Sequence, residues 1–184
     1  MRLHFTILLL IFSLQGKAQQ IKRDSIVNTL LNKLKKKGID TIGLIERHCE
    51  YMRPEKCRSS TFYILRKIKN RTYVRKLNEC GKSKVKIVRN NYFFDFYFEN
   101  ADVIAKNKVK PFTLQNGAIL TKFHYCTRRV WVHTKDSEIK FEINFHDLSK
   151  GYDTNLNIYE ESNNALPQVL WIRNTDEIID KLLR

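Results

Sequence analysis

Residues 138–145 read Glu-Ile-Lys-Phe-Glu-Ile-Asn-Phe, and no other stretch restricts the fold of this chain so strongly. Apolar and polar side chains alternate without a break, the period of a strand with one face on a core and the other in water. A helix would scatter Ile139, Phe141, Ile143 and Phe145 around its circumference. A strand solvated on one side belongs to an antiparallel sheet. The preceding segment Arg128–Thr134, with Val130 and Val132 on one face, is its expected hairpin partner across Lys135, Asp136 and Ser137.

A second hairpin is expected over residues 60–77, where Ser-Thr-Phe-Tyr-Ile-Leu-Arg-Lys-Ile is dense in β-branched and aromatic residues and Thr-Tyr-Val-Arg-Lys-Leu follows a polar turn. A two-residue loop at Asn70-Arg71 would set Ile68 opposite Tyr73 and Arg66 opposite Arg75. Phe62, Ile64, Ile68, Tyr73 and Leu77 then form the expected core face. Tyr63, Leu65 and Val74 fall on the other face among Lys67, Lys69 and Lys76. Further strands are expected near Lys84–Arg89, Ile119–Tyr125 and Asn155–Tyr159. Three helices complete the reading. Residues 24–37 carry Ile26, Val27, Leu30, Leu31 and Leu34 on one stripe, with Gly38 placed to end it. Residues 91–105 continue a helical pattern through Phe93, Tyr97, Ala101 and Ile104. Thr175–Arg184 carries Ile178, Ile179, Leu182 and Leu183, with Asn174 or Thr175 as cap. Residues 40–51 fit a short helix through Ile42, Ile45 and Cys49. Without repeated strand–helix–strand alternation, the expected class is α+β: an antiparallel sheet of about five to seven strands with an N-terminal amphipathic, a middle and a C-terminal helix.

The first eighteen residues stand apart. Arg2 and His4 precede an apolar run from Phe5 to Leu14, and the small residues Gly16 and Ala18 flank Lys17. This is the pattern of a secretory signal peptide, too short to cross a bilayer. Cleavage after Ala18 would leave one α+β domain, 19–184, in the periplasm or outside the cell; the Lys-, Asn- and Ile-rich composition has a bacterial look. No later run has comparable apolarity, so no transmembrane segment is expected in the mature chain.

Charge and cysteines follow from that compartment. The chain holds 34 Lys and Arg against 19 Asp and Glu, a formal charge of +15. Loss of 1–18 removes Arg2 and Lys17 and no acid, leaving +13. Such an excess attracts acidic proteins and anionic polymers, nucleic acid among them, or merely maintains solubility. Cys49, Cys57, Cys80 and Cys126 form an even set suited to disulfides. Four cysteines allow three connectivities; Cys49–Cys57 with Cys80–Cys126 is the expected one, because the first pair closes a short loop. No CxxC pair supports zinc, and no cofactor or metal motif is present.

No nucleophile elbow, HExxH, P-loop or paired-carboxylate motif occurs. Three readings remain, the third being a structural or envelope-maintenance protein without a ligand, whose basic residues would be spread evenly. In the first, a basic sheet face binds an acidic protein or polyanion without catalysis; its candidates are Tyr63, Lys67, Lys69, Arg71, Lys76, Lys84 and Lys86, with Arg66 and Arg75 as a separate pair. The juxtaposition of Arg66 and Arg75 would call for an anion nearby. In the second, His133 and His146 act as an acid–base pair in a small secreted hydrolase such as a nuclease, with Arg128 or Arg129 on phosphate. That reading requires the two imidazoles to converge.

Overall fold

The structure is a computed structural model that describes residues 25, 27–49, 60–78, 81–121, 125–152 and 155–183. Residues 1–18, read above as a signal peptide, and Cys57, Cys80 and His124 lie outside them. The chain divides into two units, Met1–Ile39 and Asp40–Arg184.

The first unit contains helix α1, residues 27–36, in which Val27, Leu31 and Leu34 are buried along one stripe. Its end is a Schellman turn. Ile39 N–H donates to the Leu34 carbonyl, Gly38 N–H to that of Lys35, and Gly38 sits at φ 71°, where a side chain is disfavoured.

The second unit is an α+β fold. Among the described residues its strands are β1 (Ile42–Cys49), β2 (Ser60–Ile68), β3 (Arg71–Asn78), β4 (Gly81–Lys82), β5 (Lys86–Val88), β6 (Cys126–His133) and β7 (Glu138–Asn144). They form one seven-stranded antiparallel sheet in the order β4-β3-β2-β1-β6-β7, with β5 also paired to β3. The outer side of β3 is thus shared by two short pieces separated by Ser83-Lys84-Val85. A short hairpin, β8 (Gly151–Tyr152) with β9 (Asn155–Leu156), stands apart from the main sheet. The helices are α2 (Tyr92–Lys106), α3 (Glu160–Asn164) and α4 (Pro167–Leu183), with a 3-10 turn at Phe145–Leu148.

The main core lies between one sheet face and the helices α2 and α4. Ile45, Tyr63, Leu65, Val74, Val130, Val132 and Ile143 project from the sheet to meet Phe93, Phe94, Tyr97, Trp171 and Ile172. Gly43 permits the closest approach, for a Cβ there would run into the Phe93 ring. This reverses the expected orientation of the 60–77 hairpin. The face with Tyr63, Leu65 and Val74 is the helix-covered one, although Phe62, Ile64 and Leu77 are buried on the other face as well. The turn is Lys69-Asn70, with Lys69 at φ 53°, so Ile68 pairs with Arg71, Arg66 with Tyr73, and Ile64 with Arg75. Arg66 and Arg75 are therefore not opposed. Left-handed backbone at one loop position is a requirement that a Lys-Asn dipeptide advertises poorly.

Four other expectations change. Residues 42–49 are the central strand, not a helix; with both faces covered they lose the alternation that marks a half-buried strand. Residues 119–121 make only an isolated bridge, Thr113 with Ile119. The strand expected at 155–159 is the two-residue β9. The last helix starts at Pro167, eight residues earlier than expected, because Thr175 is not a cap: its hydroxyl donates back to the Trp171 carbonyl at 2.8 Å.

Among the described residues Cys49 is bonded to Cys126, so the expected pairs Cys49–Cys57 and Cys80–Cys126 do not form. The two cysteines end adjacent antiparallel strands directly opposite each other, with Cα atoms 4.0 Å apart. They occupy a site without mutual backbone hydrogen bonds, where facing side chains are closest. The bridge closes a separation of 77 residues. Replacing both with serine is expected to cost about 2–4 kcal/mol through the freed unfolded chain, read as a lower urea midpoint. An unmoved midpoint would mean that the β1–β6 ladder makes the bridge redundant.

Candidate functional site

The cationic side chains of the sheet divide by whether a carboxylate meets them. On the helix-covered face, Arg47 from β1 and Arg128 from β6 converge on α4. Asp176 accepts from Arg47 Nε at 3.0 Å and from Arg128 Nε at 2.8 Å, one oxygen each. One turn on, Asp180 accepts from Arg47 Nη1. Arg47 also lies over the Tyr63 ring and Arg128 over Phe145. Burial alone would lower the Arg47 pKa, but Asp176 and Asp180 outweigh it and hold the guanidinium above its ordinary value. Burial pushes the Tyr63 phenol up, against the pull of Arg47. This cluster is charge-balanced and fastens α4 to the sheet. Neither Arg128 nor Tyr63 is left to meet a ligand.

Further cations are matched in the same way. Lys67 reaches Asp95 at 2.8 Å and sits over Phe98. Lys86 donates to the Leu182 carbonyl. On the opposite sheet face, Arg129 binds Glu142 at 2.7 Å, the main reason its pKa rises, and Glu46 at 3.5 Å. A shallow groove of about 460 Å³, lined by Leu44, Glu46, Arg129, Trp131, Lys140 and Glu142, is thereby internally neutralised.

Arg66, Arg71 and Arg75 behave differently. All three project from the face opposite α2 and α4, because they lie in register with Tyr73, Ile68 and Ile64. Arg71, Tyr73 and Arg75 follow at every second position of β3, about 7 Å apart. Arg66 stands opposite Tyr73, its guanidinium 5.4 Å from the ring centre. None of the three arginines meets a carboxylate among the described residues. The Nε of Arg75 is shielded from solvent and has no hydrogen-bond partner among them, a situation a buried donor rarely tolerates. Lys69 is exposed in the adjoining turn and Lys82 on the same edge. Asn91 fastens this turn to the start of α2: its amide donates to the Asn70 carbonyl, and its oxygen accepts from the Thr72 hydroxyl. Lys76 projects from the helix side, and Lys84 is exposed between β4 and β5. The basic set read from the sequence is thus divided, and Arg66, Arg71 and Arg75 are the members brought together around a tyrosine.

The histidines are not brought together. His133 ends β6 at the turn, its Nδ1 3.5 Å from a Glu138 oxygen and its ring stacked on Trp131. His146 lies beyond the other end of β7, stacked on Phe112. The intervening strand separates them by about 25 Å, so they cannot share one proton-transfer step.

A second polar cluster escaped the sequence reading. Asn157, Asn163 and Asp147 take up backbone groups of the 110–113 segment: Asn163 bonds both N–H and C=O of Lys110, Asp147 accepts from Phe112 N–H, and Asn157 from Thr113 N–H. Burial pushes the Asp147 carboxyl up despite the Phe112 bond. These side chains are spent on a loop that lacks strand partners, which makes the cluster structural. Among the described residues no group of His, Cys, Asp and Glu could hold a metal, and no helix is long and apolar enough to cross a membrane. No protein-family model, curated protein or solved structure matches the chain.

Proposed function

We propose that this chain is an exported, non-enzymatic binding protein that holds an anionic polymer on the β2–β3 face through Arg66, Arg71 and Arg75. One observation carries the reading. Arg47, Arg128, Arg129 and Lys67 each meet a carboxylate, whereas these three arginines cluster on one sheet face and meet none among the described residues. Planar guanidiniums suit phosphate, sulfate and carboxylate groups, which they bind with paired hydrogen bonds. Tyr73 at their centre offers a flat apolar surface for a base or sugar ring. Export is part of the proposal: it rests on the N-terminal pattern of residues 1–18 and accords with the Cys49–Cys126 bridge.

The test is a salt titration of binding to labelled heparin and to RNA. Affinity is expected to fall steeply with salt, as counterion release requires. Replacing Arg66, Arg71 and Arg75 together with alanine should weaken binding roughly a hundredfold and flatten the salt dependence. Replacing Lys106, Lys108 and Lys150 removes the same charge from elsewhere and should change binding only slightly. Equal losses in the two variants would reduce the reading to net charge alone. No binding to either polymer at low salt would overturn it and direct attention to an acidic protein.

A further inference from the structure

The two edges of the sheet differ. On the β3 side, the outer backbone is taken up by β4 and β5, two short strands broken at Ser83-Lys84-Val85 and carrying Lys82, Lys84 and Lys86. Short, interrupted, lysine-rich edges resist pairing with another chain. On the other side, β7 is a regular seven-residue strand without proline, glycine or bulge, and it is last in the order. Thr134 N–H donates to the Ser137 carbonyl in the turn. Continuing that alternation makes residues 139, 141 and 143 hydrogen-bond to β6, while Glu138, Lys140 and Glu142 direct N–H and C=O outward. Among the described residues nothing accepts or donates to those outward groups.

We infer that β7 pairs with β7 of a second copy, antiparallel and centred on Phe141, to make a two-fold symmetric dimer with one continuous sheet. The side chains select this register. Centring on Phe141 sets Lys140 opposite Glu142 of the other copy twice, Ile139 opposite Ile143 twice, and Phe141 opposite itself. Centring on Lys140 would oppose two lysines and, at Glu138 and Glu142, two pairs of glutamates. Centring on Glu142 would oppose two glutamates. Like charges directly opposed across a ladder are unfavourable and opposite charges favourable; centring on Ile139 also sets Glu138 opposite Lys140 but pairs only residues 138–140 of the strand, so the full-length Phe141 register is preferred, and it is self-complementary, as a two-fold interface requires. Ile139 and Phe141 are only partly buried in the single chain and gain cover. Strand β7 carries two acids and one base, so the general positive charge of the chain does not concentrate at this edge.

The experiment is sedimentation equilibrium of the chain produced in an oxidising compartment, at physiological salt. The unaltered chain is expected to dimerise reversibly. Lys140→Glu and Glu142→Lys should each weaken the dimer by about tenfold or more, since every reversal appears twice. The double variant, Lys140→Glu with Glu142→Lys, restores both cross-strand pairs and should regain most of the loss. Lys140→Pro removes only an outward N–H, which a monomer tolerates on an edge strand, and should leave a folded monomer by circular dichroism. A chain that stays monomeric at millimolar concentration, a dimer indifferent to Lys140→Pro, or a double variant no better than the singles would each overturn the inference.

Discussion

Replacing Asp176 with alanine is expected to destabilise the fold by about 3–5 kcal/mol, far more than its position on a surface helix suggests. Its two oxygens are divided between Arg47 and Arg128, and all three side chains are only about 15% exposed. Removing the carboxylate leaves two largely desolvated guanidiniums with one acid, Asp180, which meets only Arg47. Arg128 keeps a bond to the Thr127 carbonyl and its place over Phe145; neither supplies a negative charge. Asp180 provides the internal comparison. It also binds Arg47 but is 51% exposed, so Asp180→Ala should cost under about 1 kcal/mol. Urea unfolding of the two variants measures the difference. Equal, small losses would show that water penetrates the cluster and that α4 is held by its apolar stripe alone.

Trp171→Ala is the second large expected effect, about 3–5 kcal/mol. Trp171 is fully buried at the centre of the helix layer. Its ring packs against Phe93, Phe96, Tyr97 and Phe141, with centroid separations of 4.7 to 6.2 Å. Its indole N–H also donates to the Phe93 carbonyl at 2.9 Å. Trp171→Phe separates the two contributions: it retains most of the apolar contact and leaves the carbonyl without this donor, for an expected loss of about 1–3 kcal/mol. If alanine and phenylalanine cost the same, the hydrogen bond and not the packing is what Trp171 contributes.

Much of this architecture could be read from local pattern. The β6–β7 hairpin was legible because Glu138–Asn144 faces a core on one side only, and a period of two survives there. Helix α2 was legible from Phe93, Tyr97, Ala101 and Ile104. Strand β1 was not, because Ile42 and Ile45 are buried on opposite faces of the sheet, and burial on both sides erases the alternation that names a strand. The hairpin register failed at one dihedral, the positive φ of Lys69. That shift moved Arg66 from Arg75 to Tyr73 without changing which residues share a face. That Arg66 and Arg75 share a face was therefore readable, while the place of Arg71 beside them and their distinction from Arg47, Arg128 and Arg129 were not. That distinction depends on where Asp176, Asp180, Glu46 and Glu142 come to lie, which is set by long-range pairing. The same holds for Cys49 and Cys126, which are brought opposite each other only by the β1–β6 ladder.

The broken β4–β5 edge limits what the opposite edge can build. In the language of polymer chemistry, a subunit with two reactive ends grows into a chain without limit, whereas a subunit with one end stops at two. A sheet with both edges open has a valence of two, and its natural product is a fibre. With one edge interrupted at Ser83-Lys84-Val85, this sheet has a valence of one, and any pairing through β7 terminates itself. Removing the interruption, rather than strengthening β7, is the change that would turn a closed pair into an endless filament.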